Sequence, residues 1–468
     1  MRKKAAFLAL LPLLLSGCAS IRRTNRVGHL VFPELRQGTP PAYTKNVLPN
    51  GLVLFLMEDR SLPLINCRAL IRTGSALDPG DKKGLGEMTF EVMRTGGAGS
   101  LAGDEIDETL EHTGSSISAG IGRDSGSISA LSDTENFPGV FAIFTAILKS
   151  PRFENGKIEL ARIGQVSTIS RRNDDIIGIA EREFRKLLYG KDSPYARTAE
   201  YATVNSVTRD DMVEFHKTFF RPENIIIGVW GDFTTGEMVE TVKEAFGQWQ
   251  GKGSPAPPDF PEAAFIPSGP PVNLIVKKDA SQSVIMMGHR GLRRDHPDYF
   301  TAIVTSRILG MGEYSRFSRS IRQKRGLAYS TWAGFTGGFG YPGPFSASAQ
   351  TQAGRTLEAM ELMREEIKLI SKGVTDEELS VAKEGIVNSE VFWSDTTDKI
   401  MDRLMRYEYY GYPGDYPQLL LEGVERVSRE DIPEFAKKHI FPGGLTVLIV
   451  GNPEKFGAPL PGETNIIE

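Results

Sequence analysis

One segment of the 468-residue chain recurs 220 positions later, and this repeat constrains the fold more than any other sequence feature. Residues 204–231 align without gaps on residues 424–451, with nine of the 28 positions identical. In each copy a hydroxyl residue, Thr208 or Ser428, precedes acidic residues, as at a helix N-terminus. A proline then leads into an apolar, β-rich run. The repeat predicts two copies of one domain, each ending in a helix followed by a buried strand.

A proline-rich segment separates the two copies. Residues 251–271 contain seven prolines, and such a stretch joins neither a helix nor a central strand. It is predicted to be a linker between an N-terminal domain, 44–250, and a C-terminal domain, 272–456. The remaining residues, 457–468, are predicted to form a tail.

Hydrophobic periodicity predicts strands and helices in both domains. The predicted strands are 53–57, 64–71, 225–229 and 445–450, with paired strands in 116–132, and the predicted helices include 84–94, 103–112, 138–148 and 356–371. These patterns indicate an α/β chain of the two-layer α+β type. Each domain is expected to be a mainly antiparallel sheet with helices packed on one face.

The first residues have the features of an export signal. Three basic residues precede an apolar run from Ala5 to Leu15, which is shorter than the roughly 20 residues of a membrane span. The sequence Leu15-Ser16-Gly17-Cys18 resembles the bacterial lipobox, in which the cysteine is acylated. We therefore expect a signal peptide at 1–17 and a lipidated tether at 18–43; ordinary cleavage with Cys18 as a bystander is the alternative. Ala19 and Ser20 are similar to the sorting residues of outer-membrane lipoproteins, so the expected location is the periplasmic face of that membrane.

Charge and cysteine content argue against nucleic acid as a partner and against a reactive thiol as a site. The chain has 55 basic and 59 acidic residues, a net charge of −4, which gives no general attraction for nucleic acid. Cys67 is the second of only two cysteines and lies in an apolar run, so it is expected to be a buried hydrophobe rather than a reactive thiol.

Several short segments carry a family resemblance. They are Leu48-Pro49-Asn50-Gly51-Leu52, Gly74-Ser75-Ala76-Leu77-Asp78-Pro79, Gly84-Leu85-Gly86, then Gly114, Arg123 and Asp124, and Arg322-Gln-Lys-Arg-Gly-Leu-Ala-Tyr329. Their order and spacing resemble the insulinase/pitrilysin-like zinc metallopeptidases, including the processing peptidases. The resemblance extends from about residue 44 to 456.

The zinc motif of that family is degenerate in this chain. Active members carry H-x-x-E-H, in which two histidines bind zinc and the glutamate polarises the attacking water. The corresponding residues here are Glu87-Met88-Thr89-Phe90-Glu91, and the further glutamate ligand of the family falls near Thr168. The resemblance therefore implies that all four functional positions are lost and that this chain holds no metal or other cofactor.

Glu87 and Glu91 leave a weaker alternative open. Carboxylates four residues apart share a helix face and could bind a hard cation, although a third ligand is missing. A surface pair or a salt-bridged pair is the other interpretation. Among the six histidines none has another at i+4, and His289 and His296 are predicted to lie in a loop because Gly291 and Pro297 accompany them.

The second domain retains a different functional pair. Arg322 and Tyr329 match the family's Arg–Tyr pair, whose implied role is to hold the substrate backbone and stabilise the oxyanion beside the zinc of an opposing domain or subunit. Without the resemblance, they would be interpreted as a surface arginine and a strand aromatic. Gly326 lies between them, where a helix could turn into a strand.

Three hypotheses follow. The leading one is a lipoprotein that forms the non-catalytic subunit of a heterodimeric peptidase, with a zinc-containing H-x-x-E-H partner and peptides or unfolded proteins as substrates. The second is a peptide-binding or structural scaffold of the envelope without peptidase activity. The third is an autonomous hydrolase that uses Glu87 and Glu91 with a divergent metal, although Phe90 supplies no base.

Overall fold

A computed structural model describes residues 41–250, 259–262 and 271–467. The predicted signal peptide, Cys18, His29 and most of the proline-rich linker lie outside the described residues. In the described part of the chain, no helix is long and apolar enough to cross a membrane.

The first half contains six strands and eight helices within the described residues. The strands are β1 (Thr44–Val47), β2 (Val53–Glu58), β3 (Leu64–Ile71), β4 (Ser116–Ile121), β5 (Gly126–Asp133) and β6 (Ile225–Gly231). The helices are α1 (Leu85–Thr95), α2 (Gly103–His112), α3 (Phe137–Lys149), α4 (Asn155–Arg171), α5 (Ile176–Tyr189), α6 (Tyr201–Ser206), α7 (Arg209–Phe219) and α8 (Thr235–Phe246).

The second half, as described, contains six strands and six α-helices. Its strands are β7 (Val272–Val276), β8 (Gln282–Arg290), β9 (Ala328–Phe335), β10 (Pro344–Gln352), β11 (Thr446–Gly451) and β12 (Thr464–Ile466). Its helices are α9 (Tyr299–Leu309), α10 (Thr356–Leu369), α11 (Asp376–Val391), α12 (Thr397–Tyr410), α13 (Tyr416–Arg426) and α14 (Asp431–His439).

Five strands of each sheet follow the same order, which confirms the duplication predicted from the repeat; the sixth differs, because β1 pairs antiparallel with β2 whereas β12 pairs parallel with β7. The first sheet runs β1-β2-β6-β3-β5-β4 and the second β12-β7-β11-β8-β10-β9. In both, the repeat's strand (β6 or β11) pairs parallel with one neighbour and antiparallel with the other. The caps agree as well: Thr208 Oγ1 accepts from the Asp211 N–H at 3.3 Å, and Ser428 Oγ accepts from the Asp431 N–H at 3.2 Å.

Each sheet is covered on both faces, which explains the continuous apolar runs of β6 and β11. Ile225, Ile227 and Val229 of β6 enter the core of the first half, whereas Ile226 and Trp230 face the opposite side. Strands buried on both faces read as unbroken apolar segments because neither face meets water. The two-layer prediction is confirmed for each half, except that α5 and α12 pack on the sheet of the other half.

The outer face of each sheet is covered by a helix from the other half. From the second half, α12 packs its methionines, Met401 and Met405, onto the outer side of β2 and β6. From the first half, α5 packs Ile179 and Phe184 onto the outer face of the second sheet, beside Leu448 of β11. The two halves are therefore joined by a reciprocal exchange of equivalent helices.

Two predicted boundaries differ from the structure. The segment 457–468, predicted to be a tail, includes β12, which pairs parallel with β7 at the edge of the second sheet. A three-residue strand is too short to show an alternating pattern, so β12 could not be predicted from periodicity. Within the predicted linker, Phe260 packs beside α5, and the carbonyl of Pro261 accepts a hydrogen bond from the Tyr195 hydroxyl.

Candidate functional site

The start of α1 is fixed by a buried carboxylate. Asp78 accepts hydrogen bonds from the N–H groups of Gly84 (3.1 Å) and Gly86 (3.0 Å), and from the Lys83 ammonium (3.1 Å). Burial raises the pKa of Asp78 to about 6, while the Lys83 charge opposes this shift. Gly84 has φ +107°, a left-handed conformation that favours glycine. The Asp78 and Gly84–Gly86 segments therefore serve to position α1.

A cleft, the α1 cleft, lies between α1 and β4, the edge strand of the first sheet. It has a volume of about 500 Å³ and is lined by Glu87, Phe90, Glu91, Arg94 and Thr95 of α1, together with residues 117–121. Arg94 joins the two elements by donating from Nε to the Ile117 carbonyl at 2.6 Å. Among the described strands β4 pairs only with β5, so its other side offers backbone groups to an extended peptide.

Glu87 and Glu91 lie in this cleft without the partners of a metal site. Glu87 forms an ion pair with Lys83 at 3.6 Å, and its buried Oε2 atom has no hydrogen-bond partner among the described residues. Burial raises the pKa of Glu91. Among the described His, Cys, Asp and Glu side chains, the one group close enough to share a metal ion includes neither glutamate.

Phe90 belongs to the hydrophobic core of the first half. Its side chain is 1% exposed, and its ring packs against Phe215 and Phe220 at centroid distances of 6.4 and 5.5 Å. A Cβ at Gly126 of β5 would lie only 2.2 Å from the Phe90 ring. The position that bears the water-polarising glutamate in the family motif is therefore a packing position here.

Thr168 supplies no ligand either. It is exposed on α4, and its hydroxyl donates to the Gly164 carbonyl at 3.0 Å. Gly164 of α4 faces Glu91, since an added Cβ there would lie 3.9 Å from Glu91 Oε1. With no histidine, no third ligand and an apolar side chain at Phe90, these residues do not fit a catalytic zinc ion.

The structure places Arg322 and Tyr329 at the corresponding edge of the second sheet. Arg322 lies in a π-helical segment, Ser318–Gln323, and Tyr329 lies in β9, which in the described part of the chain pairs only with β10. Gly326 between them has φ +60°, so it makes the predicted turn from helix to strand. Tyr329 is 80% exposed, and the Arg322 side chain is 45% exposed. Both therefore face solvent or a partner.

The residue that orients Arg322 was not predicted from the sequence. Glu313 accepts from Arg322 Nη1 at 2.6 Å, and its backbone carbonyl accepts from Gln323 Nε2 at 2.8 Å. Glu313 lies in the loop after α9, a region with no periodic pattern. Among the described residues, no hydrogen bond or ion pair joins Arg322 or Tyr329 to the α1 cleft.

Two family models match the chain. The one described as "Insulinase (Peptidase family M16)" matches residues 55–174, and the one described as "Peptidase M16 inactive domain" matches residues 206–386. A protein of Helicobacter pylori named "Non-peptidase homolog YmxG" is 23% identical over 85% of this chain and 91% of its own length. An uncharacterized zinc protease of Mycobacterium leprae is 28% identical over 60% of this chain; the matched region spans 63% of that relative.

Solved structures share the fold. A peptidase M16 inactive domain from Pseudomonas fluorescens aligns with a TM-score of 0.77 and 22% identity, covering 88% of this chain and 98% of that one. The periplasmic protease PqqL of Escherichia coli aligns with a TM-score of 0.73 and 13% identity, covering 90% of this chain but 48% of PqqL. The described part of the chain therefore has the fold of these proteins, and in PqqL that fold occupies about half of the molecule.

Proposed function

The chain belongs to the insulinase (peptidase M16) family as a non-catalytic member, and from that membership we propose that it is the substrate-clamping subunit of a two-chain zinc metallopeptidase. One contrast carries the proposal. The zinc-motif positions hold Glu87, Phe90 and Glu91, with Phe90 buried in the core, whereas Arg322 and Tyr329 remain exposed. The chain thus lacks one part of a peptidase site and presents the other.

Arg322 and Tyr329 are suited to stabilise negative charge on a peptide carbonyl. A zinc ion held by the partner would activate water for attack on that carbonyl, whose oxygen would then carry negative charge. The Arg322 guanidinium donates several N–H groups from a charged plane, and the Tyr329 hydroxyl donates one hydrogen bond. Fixed donors of this kind typically contribute about 3 kcal/mol each to the transition state. Tyr329 lies on the edge strand β9, whose free backbone groups can pair with an extended peptide.

The proportions of PqqL support a two-chain arrangement. The fold of this chain accounts for 48% of that protease, which leaves a similar length for a second half. In a two-chain peptidase, a second chain with an intact H-x-x-E-H would take the place of that half. Zinc is accordingly expected in the partner, with peptides or unfolded proteins as substrates.

The location at the cell envelope is a proposal from the N-terminal sequence. Residues 1–17 and Cys18 have the lipobox pattern, so we place the chain on the periplasmic face of the outer membrane through acyl chains on Cys18. More than one acyl chain is needed for stable anchoring, because a single chain binds only marginally.

An alternative function, a peptide-binding or structural scaffold, is favoured by one observation. Arg322 already has a carboxylate partner, Glu313, at 2.6 Å within its own chain. This pair could be purely structural, in which case the chain would bind peptides or neighbouring proteins without taking part in cleavage. The autonomous hydrolase has no such support, because the α1 cleft lacks a metal-binding group among the described residues.

Affinity purification from the native envelope tests the proposal. The full-length chain, tagged at its C-terminus, is extracted in mild detergent, and the proteins that accompany it are identified by mass spectrometry. We expect one stoichiometric partner with an intact H-x-x-E-H. The Cys18→Ala variant should be recovered from the soluble periplasmic fraction with the same partner. Recovery of the chain alone contradicts the two-chain proposal, and sedimentation of the variant with membranes contradicts the lipid anchor.

A further inference from the structure

A compact group of ligand-type side chains lies in the second half, away from the α1 cleft. His296, Asp298 and His439 each place one ligand atom within 4.8 Å of the others. His439 Nε2 lies 2.7 Å from Asp298 Oδ2, and the two imidazole rings are nearly perpendicular, with centroids 5.2 Å apart. In sequence, Asp298 and His439 are 141 positions apart, so only the fold brings these residues together.

Two of the three residues, Asp298 and His439, lie at helix ends, and His296 lies in the turn that leads into α9. Asp298 occupies the N-cap position of α9, and its N–H donates to His296 Nδ1 at 3.1 Å. His439 is the last residue of α14, and its side chain is only 12% exposed. Rigid helix ends are better supports for a coordination site than free loops, because little ordering remains to be done on binding.

A neighbouring histidine, His289, does not belong to the group of His296, Asp298 and His439. The ring of His289 lies between backbone groups: Nδ1 is 2.9 Å from the Arg290 carbonyl, and Nε2 accepts from the Phe441 N–H at 3.3 Å. Both of its nitrogens are therefore already engaged.

We propose that His296, Asp298 and His439 form a binding site for a divalent transition metal, with Zn²⁺ as the physiological candidate. Two imidazoles and one carboxylate suit zinc and other first-row ions, and three protein ligands leave coordination positions for water. The ion replaces the hydrogen bond between His439 and Asp298 and also the one that His296 Nδ1 accepts from the Asp298 N–H, because a metal-bound imidazole has no second nitrogen free to accept. Each imidazole then binds through one nitrogen and keeps its proton on the other.

Lys438 limits the affinity of this site. Its ammonium lies 2.7 Å from Asp298 Oδ2, the same oxygen that His439 contacts. A bound cation must displace this ammonium, whose charge also repels it. The Lys438 side chain is 65% exposed, so it can move away into solvent. Removing the ammonium should therefore strengthen metal binding, an effect opposite to that of removing a ligand.

The position of the site suggests what the metal stabilises. The segment that carries His296 also contacts the glycine-rich loop 337–343: Arg294 N–H donates to the Gly338 carbonyl at 3.0 Å, and its guanidinium lies 4.2 Å from the Phe339 ring centroid. In that loop, Tyr341 stacks on Tyr195 of the first half at 4.0 Å. The metal would tie this segment to α14 and so support the contact between the two halves.

Equilibrium metal binding to the untagged full-length chain tests the site. Zn²⁺ titration by calorimetry should give one equivalent, and Co²⁺ should produce visible d–d absorption. His296→Ala and His439→Ala should each weaken Zn²⁺ binding by about tenfold to a hundredfold or more, since even the loss of an outer-shell partner has effects of that size. Lys438→Met should tighten binding, and circular dichroism should confirm that every variant is folded.

Two control variants make the result specific. His112→Ala removes an exposed histidine at the end of α2, and the double variant Glu87→Gln/Glu91→Gln removes the carboxylates of the α1 cleft. Neither should change zinc affinity. The proposal is overturned if wild type binds no zinc, if both histidine variants bind as wild type does, or if the glutamate double variant abolishes binding.

Discussion

At the residue scale, Phe90 shows why this chain cannot be converted into a peptidase by restoring one catalytic group. The position that carries the base in the family motif lies in the core, against Phe215 and Phe220. A carboxylate there would lose its hydration without gaining a partner, which costs several kcal/mol. Phe90 therefore accounts both for the absence of a base at this position and for the packing of the first half.

This account predicts large stability effects at position 90. Phe90→Ala should lower the free energy of unfolding by about 3–5 kcal/mol, because it leaves a cavity in a packed core. Phe90→Glu should lower it further and should not produce peptidase activity. Urea denaturation measures both. Phe392→Glu is the matched control, since Phe392 is 67% exposed and its replacement should change stability little. If Phe90→Glu unfolds at the same urea concentration as wild type, the packing role is wrong.

The family resemblance predicts which catalytic groups this chain lacks, whereas neither the proposed metal site nor Glu313 could be predicted from the sequence. The replacements at Glu87, Phe90 and Glu91 could be identified from sequence because the family motif is local. The His296–Asp298–His439 group could not, because a search for histidines at i+4 misses ligands 141 positions apart. Glu313 was missed because its contact with Arg322 depends on the course of an irregular loop.

At the element scale, the exchange of α5 and α12 joins the two halves into one structure. Periodicity predicted many individual elements, including β3 and α2 with their observed bounds. It did not predict which sheet each helix covers, since an amphipathic face specifies burial but not its partner. Met405 illustrates this: it belongs to α12 of the second half, yet a Cβ at Gly228 of β6 would lie 2.5 Å from its sulfur.

We expect the two halves to unfold together because of this exchange. Two single-tryptophan variants, one keeping Trp230 in β6 and the other Trp332 in β9, should report coincident urea transitions. Met405→Ala should lower the stability seen by both probes by about 2–5 kcal/mol, since Met405 is buried. Arg406→Ala, an exposed neighbour on α12, should have little effect. A Met405→Ala transition that moves at only one probe would show that the halves unfold independently.

The start of α11 supplies a pH-dependent prediction. Glu378 closes a capping box with Thr375 and accepts from Arg316 at 2.7 and 2.9 Å. Burial alone would raise the pKa of Glu378, but these donors and the Arg316 charge hold it below 4.5. A lowered folded-state pKa stabilises the protein above the ordinary value, and this stability is lost as the pH falls through the lowered value.

Glu378→Gln should therefore cost about 2 kcal/mol of unfolding free energy at pH 7, and the difference from wild type should shrink on acidification below pH 4.5. Urea midpoints across this pH range measure the effect. Glu377→Gln, on the adjacent position of the same helix, is the control and should match wild type. A cost that stays constant down to the acid limit would rule out the ionised carboxylate as its source.

At the scale of the whole molecule, the duplication gives two related sheet edges, β4 and β9, which carry different side chains. The first lies beside the degenerate α1 cleft, and the second carries Tyr329 close to Arg322. In the proposed function another chain supplies the zinc half, because the second edge of this chain carries the Arg–Tyr pair and the first lacks the zinc motif. The central claim is that Arg322 and Tyr329 act on a substrate held in such a shared site.

Turnover by the reconstituted pair tests that claim most directly. This chain and the H-x-x-E-H partner recovered with it are purified separately, mixed, and assayed for peptide hydrolysis, with assembly checked by size-exclusion chromatography. We predict that neither chain alone is active, and that Arg322→Ala or Tyr329→Phe lowers kcat of the pair by about 10²–10³ without affecting assembly. The exposed controls Arg325→Ala and Tyr201→Phe should retain wild-type kcat. Undiminished turnover in both Arg322→Ala and Tyr329→Phe would contradict the account.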